Sequence, residues 1–250
     1  MKSGRASARN PGLIESREWS STSRKKMPDT HTGKTVSLEI AGERAELYAA
    51  RAVYLPVRRT LLIADPHFGK DLFFRRKGFP VPAGTSESNL ERLSALFAIT
   101  RAERLIILGD FLHAREGISQ ELLFSLSQWR KSYASIEMLL IAGNHDRHAG
   151  DVSAETGIVA LPLPFAEAPF VFAHEPGPST EGYVFAGHVH PCVRLQAPDG
   201  DKARLACFWF GKACAVLPSF GTFTGSHEIR PAAEDRVFVI AGGDVHETGV

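Results

Sequence analysis

Three apolar runs in this 250-residue chain end abruptly in residues that hold metal ions or move protons. Leu61-Leu62-Ile63-Ala64 leads into Asp65-Pro66-His67, and Leu105-Ile106-Ile107-Leu108 into Gly109-Asp110-Phe111-Leu112-His113. Met138 to Ala142 leads into Gly143-Asn144-His145-Asp146. Two later runs, Phe170 to Ala173 and Tyr183 to Ala186, deliver His174 and Gly187-His188-Val189-His190. Any one of these endings is explained as well by a tight turn, since Gly, Asn and Asp form turns for ordinary reasons. Their recurrence is not. Asp65, His67, Asp110, Asn144, His174, His188 and His190 all follow apolar runs and all offer nitrogen or oxygen donors. Seven such donors without a cysteine favour borderline or hard divalent ions, Mn, Fe, Zn or Mg, over a thiolate site. Seven exceeds the needs of one ion and suits two that share a bridging carboxylate. Two ions about 3.5–4 Å apart clamp the attacking and leaving oxygens of a phosphate ester and acidify a water. His145, beside Asn144, fits a non-ligand that protonates the leaving oxygen or steadies phosphoryl charge. Asp146 is expected to orient that imidazole and hold its proton near neutral pH.

Periodicity alone does not separate short buried strands from helix fragments. The lengths and the glycine stops favour strands, and ligands of open α/β sheets gather outside strand carboxyl ends. Asp65 and His67, two residues apart, share one side of an extended chain, and Pro66 biases Asp65 towards that conformation. Upstream, Val36, Leu38 and Ile40, then Ala45, Leu47 and Tyr48, predict antiparallel strands around Gly42. Another strand is expected at 52–55, stopped by Pro56. Phe68 to Pro82 reads as irregular, with a basic cluster of Lys70, Arg75, Arg76 and Lys77. Because it leaves from the first tip, Arg75 or Arg76 is expected to contact phosphate. Helices are predicted from Thr85 or Ser86, with Leu90, Leu93, Leu96 and Phe97 on one face, and over 119–133, with Leu122, Leu123, Leu126 and Trp129 inward. This β-α-β-α-β rhythm indicates a layered α/β fold. After position 150 the runs at 158–161, 169–173, 183–186, 203–210, 213–217 and 236–240 suggest a second sheet stacked on the first.

The 44% hydrophobic content suffices for one large core. Residues 1–34 are rich in Ser, Arg, Lys and Gly and are expected to be a disordered basic tail, leaving 35–250 as a single domain. That tail holds eight Lys/Arg against three Asp/Glu, so a formal charge of +1 for the whole leaves −4 on residues 35–250. A mildly acidic folded part argues against a non-specific nucleic-acid binder. Seven of the ten histidines fall between His67 and His190. The three cysteines, Cys192, Cys207 and Cys214, make no paired spacing, which suits a reducing interior. With no membrane-length apolar run and no apolar signal-peptide core, a soluble cytoplasmic protein is expected.

The blocks Asp65-x-His67, Gly109-Asp110-x-x-His113, Gly143-Asn144-His145-Asp146, His174 and Gly187-His188-x-His190 resemble the five ordered blocks of the calcineurin-like metallophosphoesterases. The resemblance implies a four-layer α/β/β/α sandwich of the metallophosphoesterase type with a di-metal site. By position, Asp65, His67, Asp110 and His190 would take one metal, and Asp110, Asn144, His174 and His188 the other. His145 would be the catalytic histidine. A narrower resemblance rests on residues 64–70, 74–82 (Phe-Arg-Arg-Lys-Gly-Phe-Pro-Val-Pro) and 218–225 (Pro-Ser-Phe-Gly-Thr-Phe-Thr-Gly). These look like the bacterial ligase-associated DNA-damage-response endonucleases. Pro66 stands where that family usually has Leu, and Ser226 also departs from its pattern. This similarity implies a DNA phosphodiester substrate, Mn²⁺ as the leading ion, and ligase and helicase partners. His113 is similar in position to a histidine of the superfamily's DNA-processing nucleases.

Two other functions compete. A small-molecule phosphoesterase acting on nucleotides, cyclic nucleotides or a lipid-linked diphosphate suits the acidic balance of 35–250, because duplex binding calls for a basic surface. A scaffold that has lost catalysis is disfavoured, since every ligand position is filled. The 218–225 loop is either a buried turn anchored by Phe220 and Phe223 or a flank of the cleft that stacks on a base.

Overall fold

The computed structural model describes residues 33–150, 153–196 and 202–249. The expected tail lies outside them except for Gly33 and Lys34, whose backbone meets Asp244 and Val245. The first sheet takes its strands in chain order. Strands β1 (Val36–Ile40) and β2 (Glu43–Tyr48) form the hairpin expected around Gly42, where a φ of +84° suits a residue without Cβ. β3 (Ala52–Leu55) and β4 (Thr60–Ile63) continue antiparallel. β5 (Arg104–Ile107), β6 (Glu137–Ile141) and β7 (Val159–Leu161) add in parallel. The run at 158–161 therefore closes the first sheet instead of joining the second.

Helices α1 (Lys70–Arg76), α2 (Thr85–Thr100) and α3 (Gln120–Ser132) lie in the crossovers. Ser119 caps α3, its hydroxyl accepting from Leu122 N at 3.2 Å. α1 takes up 70–76 of the stretch expected to be irregular over 68–82, and 77–82 remain irregular; two turns are too short for a helical period to stand out. Strands β4 to β6 are covered on both faces, so their apolar runs are continuous. Leu61, Ile63, Leu105, Ile107 and Met138 pack with Leu90, Leu93, Phe97 and Leu126 of the helices. On the opposite face Leu62, Ala64, Ile106 and Leu139 pack against Phe170, Phe172, Phe185, Phe208 and Phe238.

Those phenylalanines belong to a second sheet. It comprises β8 (Phe165–Glu167), β9 (Phe170–Phe172), β10 (Tyr183–Ala186), β11 (Pro191–Gln196), β12 (Lys202–Phe210), β13 (Cys214–Val216), β14 (His227–Glu228), β15 (Arg236–Ala241) and β16 (Asp244–Thr248). Its order is β14-β11-β12-β13-β10-β9-β8, with β15 between β12 and β16. The result is a two-sheet α/β sandwich of the expected type, with helices on the outer face of the first sheet; the fourth, helical layer expected over the second sheet is not seen, since no helix follows Thr156 among the described residues. Among the described residues the outer face of the second carries small clusters such as Val193, Cys207, Val237 and Val239. Neighbours such as β8 and β9, β12 and β13, and β15 and β16 are consecutive antiparallel strands, which need no helical crossover.

Candidate metal centre

Parallel pairing aligns the carboxyl ends of β4, β5 and β6, with Ile63, Ile107 and Leu140 side by side. The backbone ladder runs past the strand ends: Asp65 N donates to Gly109 O at 3.1 Å and His67 N to Asp110 O at 2.9 Å. Glycine's role here is room. A Cβ on Gly109 would lie 1.9 Å from His174 Nδ1, one on Gly143 2.2 Å from Asp110 Oδ1, and one on Gly187 2.7 Å from Asp65 Oδ2.

The tips are not extended. Asp65, His67, Asp110, His188 and His190 all have φ between +49° and +67°, a left-handed state that costs on the order of 1–3 kcal/mol at a non-glycine residue. Pro66 does not hold Asp65 extended, because tertiary hydrogen bonds fix the turn. Ser219 Oγ and Gly221 N donate to Asp65 O at 2.8 and 3.2 Å, and Asn89 Nδ2 donates to Pro66 O at 3.3 Å.

The seven candidate donors converge as two groups. In the first, His190 Nε2 lies 3.4 Å from His67 Nε2 and 3.6 Å from Asp65 Oδ2. In the second, His174 Nε2 lies 3.0 Å from Asn144 Oδ1 and 3.0 Å from His188 Nδ1. Asp110 stands between them, with Oδ2 3.9 Å from His67 Nε2 and Oδ1 3.6 Å from His174 Nε2. Backbone carbonyls fix several rings. His174 Nδ1 is 3.1 Å from Leu108 O and His190 Nδ1 is 3.0 Å from Gly225 O. Each Nδ1–H thus donates outward and leaves Nε2 facing the cluster.

Burial decides the charge states. It lifts Asp65 well above the usual carboxylate range, helped by Asp110, and raises Asp146. Burial also drives the His67 imidazole far down and lowers His113 and His190 to about 4. Neutral imidazoles are the ligating form. Asp65 Oδ1 and His67 Nδ1 are buried without a hydrogen-bond partner, a costly state for polar atoms. Two buried carboxylates, facing neutral imidazoles and a side-chain amide, fit divalent cations.

His145 sits at the rim, its side chain 37% exposed, with Nε2 3.9 Å from Asp110 Oδ2. Its Nδ1 lies 2.7 Å from the carbonyl of His113. Asp146 was expected to orient this ring, but its carboxylate accepts from Leu112 N at 3.0 Å and Gly143 N at 2.9 Å. It clamps the second tip to the third, and the His113 carbonyl orients the imidazole instead. The His113 ring stacks on that of His145 at 5.0 Å. Arg75 pairs with buried Asp71 at 3.6 Å and Arg76 donates to Glu116 O. Neither shows a contact with the cluster. Lys70 is the helix cation that acts on Asp65 and Asp110, and burial lowers its pKa. Its place one helical turn before Phe73 and Phe74 was available in the sequence once α1 was known to be helical. Arg51 and Arg92, which hold the 219–221 backbone, carried no sequence signal. His148, on the turn 146–149, is exposed and stands outside the cluster.

The calcineurin-like phosphoesterase family model matches residues 58–201, and the chain belongs to that family. It is a metal-dependent phosphoesterase, in a family that uses a dinuclear metal centre. Among solved structures it is similar to the nuclease MPE of Pseudomonas putida, with 40% identity over 83% of this chain and 97% of that one, at a TM-score of 0.73. The phosphoesterase Yfce of Escherichia coli is similar at 14% identity, covering 76% of this chain and 98% of that one, with a TM-score of 0.37. No curated protein matches the chain significantly.

Proposed function

We propose that this chain is a phosphodiesterase that cleaves DNA during repair, using two Mn²⁺ ions. In this reading Asp65, His67, Asp110 and His190 hold one ion, and Asp110, Asn144, His174 and His188 the other. The observation that carries it is the division of seven donors into two groups that meet at the two oxygens of Asp110. When bound, the ions supply an acidified water and neutralise phosphate charge. The remaining work falls to side chains. His145, its Nδ1–H donating to His113 O, presents Nε2 to the phosphate, and its protonated form donates to the leaving oxygen. His113 backs that ring, Asp146 sets its distance from Asp110, and Lys70 attracts the anionic substrate. Arg75 and Arg76, on the same helix, meet phosphates further from the cut.

The DNA substrate is supported by the 40% identical nuclease and by the basic helix beside the site. The net charge of −4 on residues 35–250 instead favours a small phosphodiester, so the test sets the two side by side. Three free cysteines suit a reducing cytoplasm, and no described helix is long and apolar enough to cross a membrane. Ligase and helicase partners rest on the family resemblance. Metal-free protein reloaded with Mn²⁺ is expected to hydrolyse bis-p-nitrophenyl phosphate and labelled DNA. Asp110→Asn is expected to lose both activities by about a thousandfold, the scale of several kcal/mol of charge stabilisation. Turnover of a cyclic nucleotide with intact DNA would move the assignment to the small substrate.

A further inference from the structure

An aromatic surface adjoins the metal-binding residues and has no part in the hydrolytic chemistry. Phe74, on α1, stacks over His113 at 5.8 Å and 23°. Its edges meet Phe79 at 5.6 Å and Phe223 at 5.8 Å. Phe79 and Phe223 are 55% and 42% exposed, although burying a large apolar side chain is worth about 1.5–3 kcal/mol.

Both rings are presented by fixed backbone. Phe79 N donates to Phe74 O at 3.0 Å, and Val81 two residues on is buried. The other loop is pinned at its base. Phe220 is fully buried under the Arg92 guanidinium, 4.0 Å from its ring centre. Arg51 Nη1 donates to Ser219 O and Gly221 O, each at 3.0 Å, and Thr224 Oγ1 to Gly221 O at 3.1 Å. The loop's two phenylalanines differ: Phe220 is the buried anchor, whereas Phe223, expected as a second anchor in the buried-turn reading, is an exposed tip.

The surface is continuous with the metal centre. Phe223 lines a small crevice with His67 and Lys70, and the ring stack runs from Phe74 through His113 to His145. Exposed cations of the same segment, Arg75, Arg76 and Lys77, follow Phe74 directly in the chain. Apolar rings alone would suit many partners. Rings edged by cations and joined to a phosphate-handling centre suit a nucleotide, which offers a π-face and an anionic backbone together.

We propose that Phe79 and Phe223, backed by Phe74, form a nucleobase-stacking subsite for a nucleotide flanking the scissile phosphate. The subsite rests on the phosphodiesterase reading for which phosphate is cut, but base capture is measurable without cleavage. The probe is a hexanucleotide carrying 2-aminopurine at successive positions, bound to metal-loaded His145→Ala protein to suppress turnover. At one position the fluorescence is expected to fall on binding. Phe223→Ala or Phe79→Ala should abolish that quench and weaken binding by about tenfold, within the range for losing one base–aromatic stack. Phe223→Trp should restore both. A hexanucleotide abasic at that position should bind the aromatic parent as weakly as the intact one binds Phe223→Ala, with no further loss when both changes combine. No quench at any position, undiminished binding of the abasic probe, or no binding at all overturns the subsite. A parent that quenches the base but hydrolyses no diester with any ion keeps the subsite and removes the phosphodiesterase reading.

Discussion

Charged residues gather at both ends of the first sheet, with opposite outcomes. At the amino ends of β4 and β5, Arg58 contacts Glu43 at 2.6 Å and Glu167 at 2.6 Å. Arg104 meets both oxygens of Glu167 at 2.8 Å, a bidentate pair. Its Nε also donates to Thr60 Oγ1 at 2.9 Å. At the carboxyl ends, Asp65 and Asp110 share their surroundings with His67, His174, His188 and His190, and Lys70 is the nearby cation. The same chemistry therefore shows opposite shifts. Arg104 and Arg58 hold the Glu167 carboxyl below its usual range, whereas burial beside Asp110 lifts Asp65. One end is neutralised by its own arginines and fastens β8 to the first sheet. The other is short of positive charge, a deficit that a divalent cation would make up.

The contrast can be tested by removing single groups. The largest effect is expected at the carboxyl ends, where His145→Ala should lower turnover by about 10²–10⁴-fold, the scale of a lost general acid. Elemental analysis should find both ions retained; loss of an ion would place the imidazole among the ligands. Asp65→Asn should act in two directions. Without metal it relieves a buried charge and should raise Tm by a few degrees, at about 2–4 °C per kcal/mol for a chain of this size. With Mn²⁺ the unsubstituted protein should be the more stable, since ions that bind only the folded state stabilise it by about 2.7 kcal/mol at a hundredfold excess over Kd. A metal-free Asp65→Asn protein that melts lower than its parent would show that the aspartate charge is already compensated.

The smallest effect should come from the amino ends. Glu167→Gln removes two partly exposed ion pairs, to Arg58 and Arg104, and should cost about 1.5 kcal/mol at neutral pH, the lower part of the range for hydrogen bonds to charged groups. The folded-state pKa of Glu167 is depressed, so its stabilisation is complete above the unfolded value of about 4.3 and disappears as pH falls through the folded one. Thermal melts of parent and variant should begin to converge as pH falls below about 4.3 and meet only below the depressed folded-state value. A constant gap down to acid pH would assign the effect to shape instead of charge.

The first sheet was largely legible because its interior strands are covered on both faces, which writes them as unbroken apolar runs such as Leu61 to Ala64. The outer strands of the second sheet were not. β11 opens on Pro191 and includes Arg194 and Gln196, and β16 carries Asp244, His246 and Glu247, so neither reads as a core strand. Candidate ligands announced themselves through residue type at the ends of apolar runs, three of the five runs ending in glycine. What the sequence hid was conformation and partnership. Proline's local preference at Asp65 yielded to hydrogen bonds from Ser219 and Gly221, more than 150 residues away. Asp146, adjacent to His145 in sequence, turned instead to backbone amides across the loop, and a carbonyl from position 113 took its expected place. Adjacency in sequence was a poor guide to orientation.

The cluster draws on both sheets: Asp65, His67, Asp110 and Asn144 leave the first, and His174, His188 and His190 leave the second. A ribosome-bound or partly melted molecule in which the sheets have not docked holds only half the donors for the second ion group. A complete set of donors therefore exists only when the two sheets are docked, and parting them dismantles the site even if each sheet stays intact.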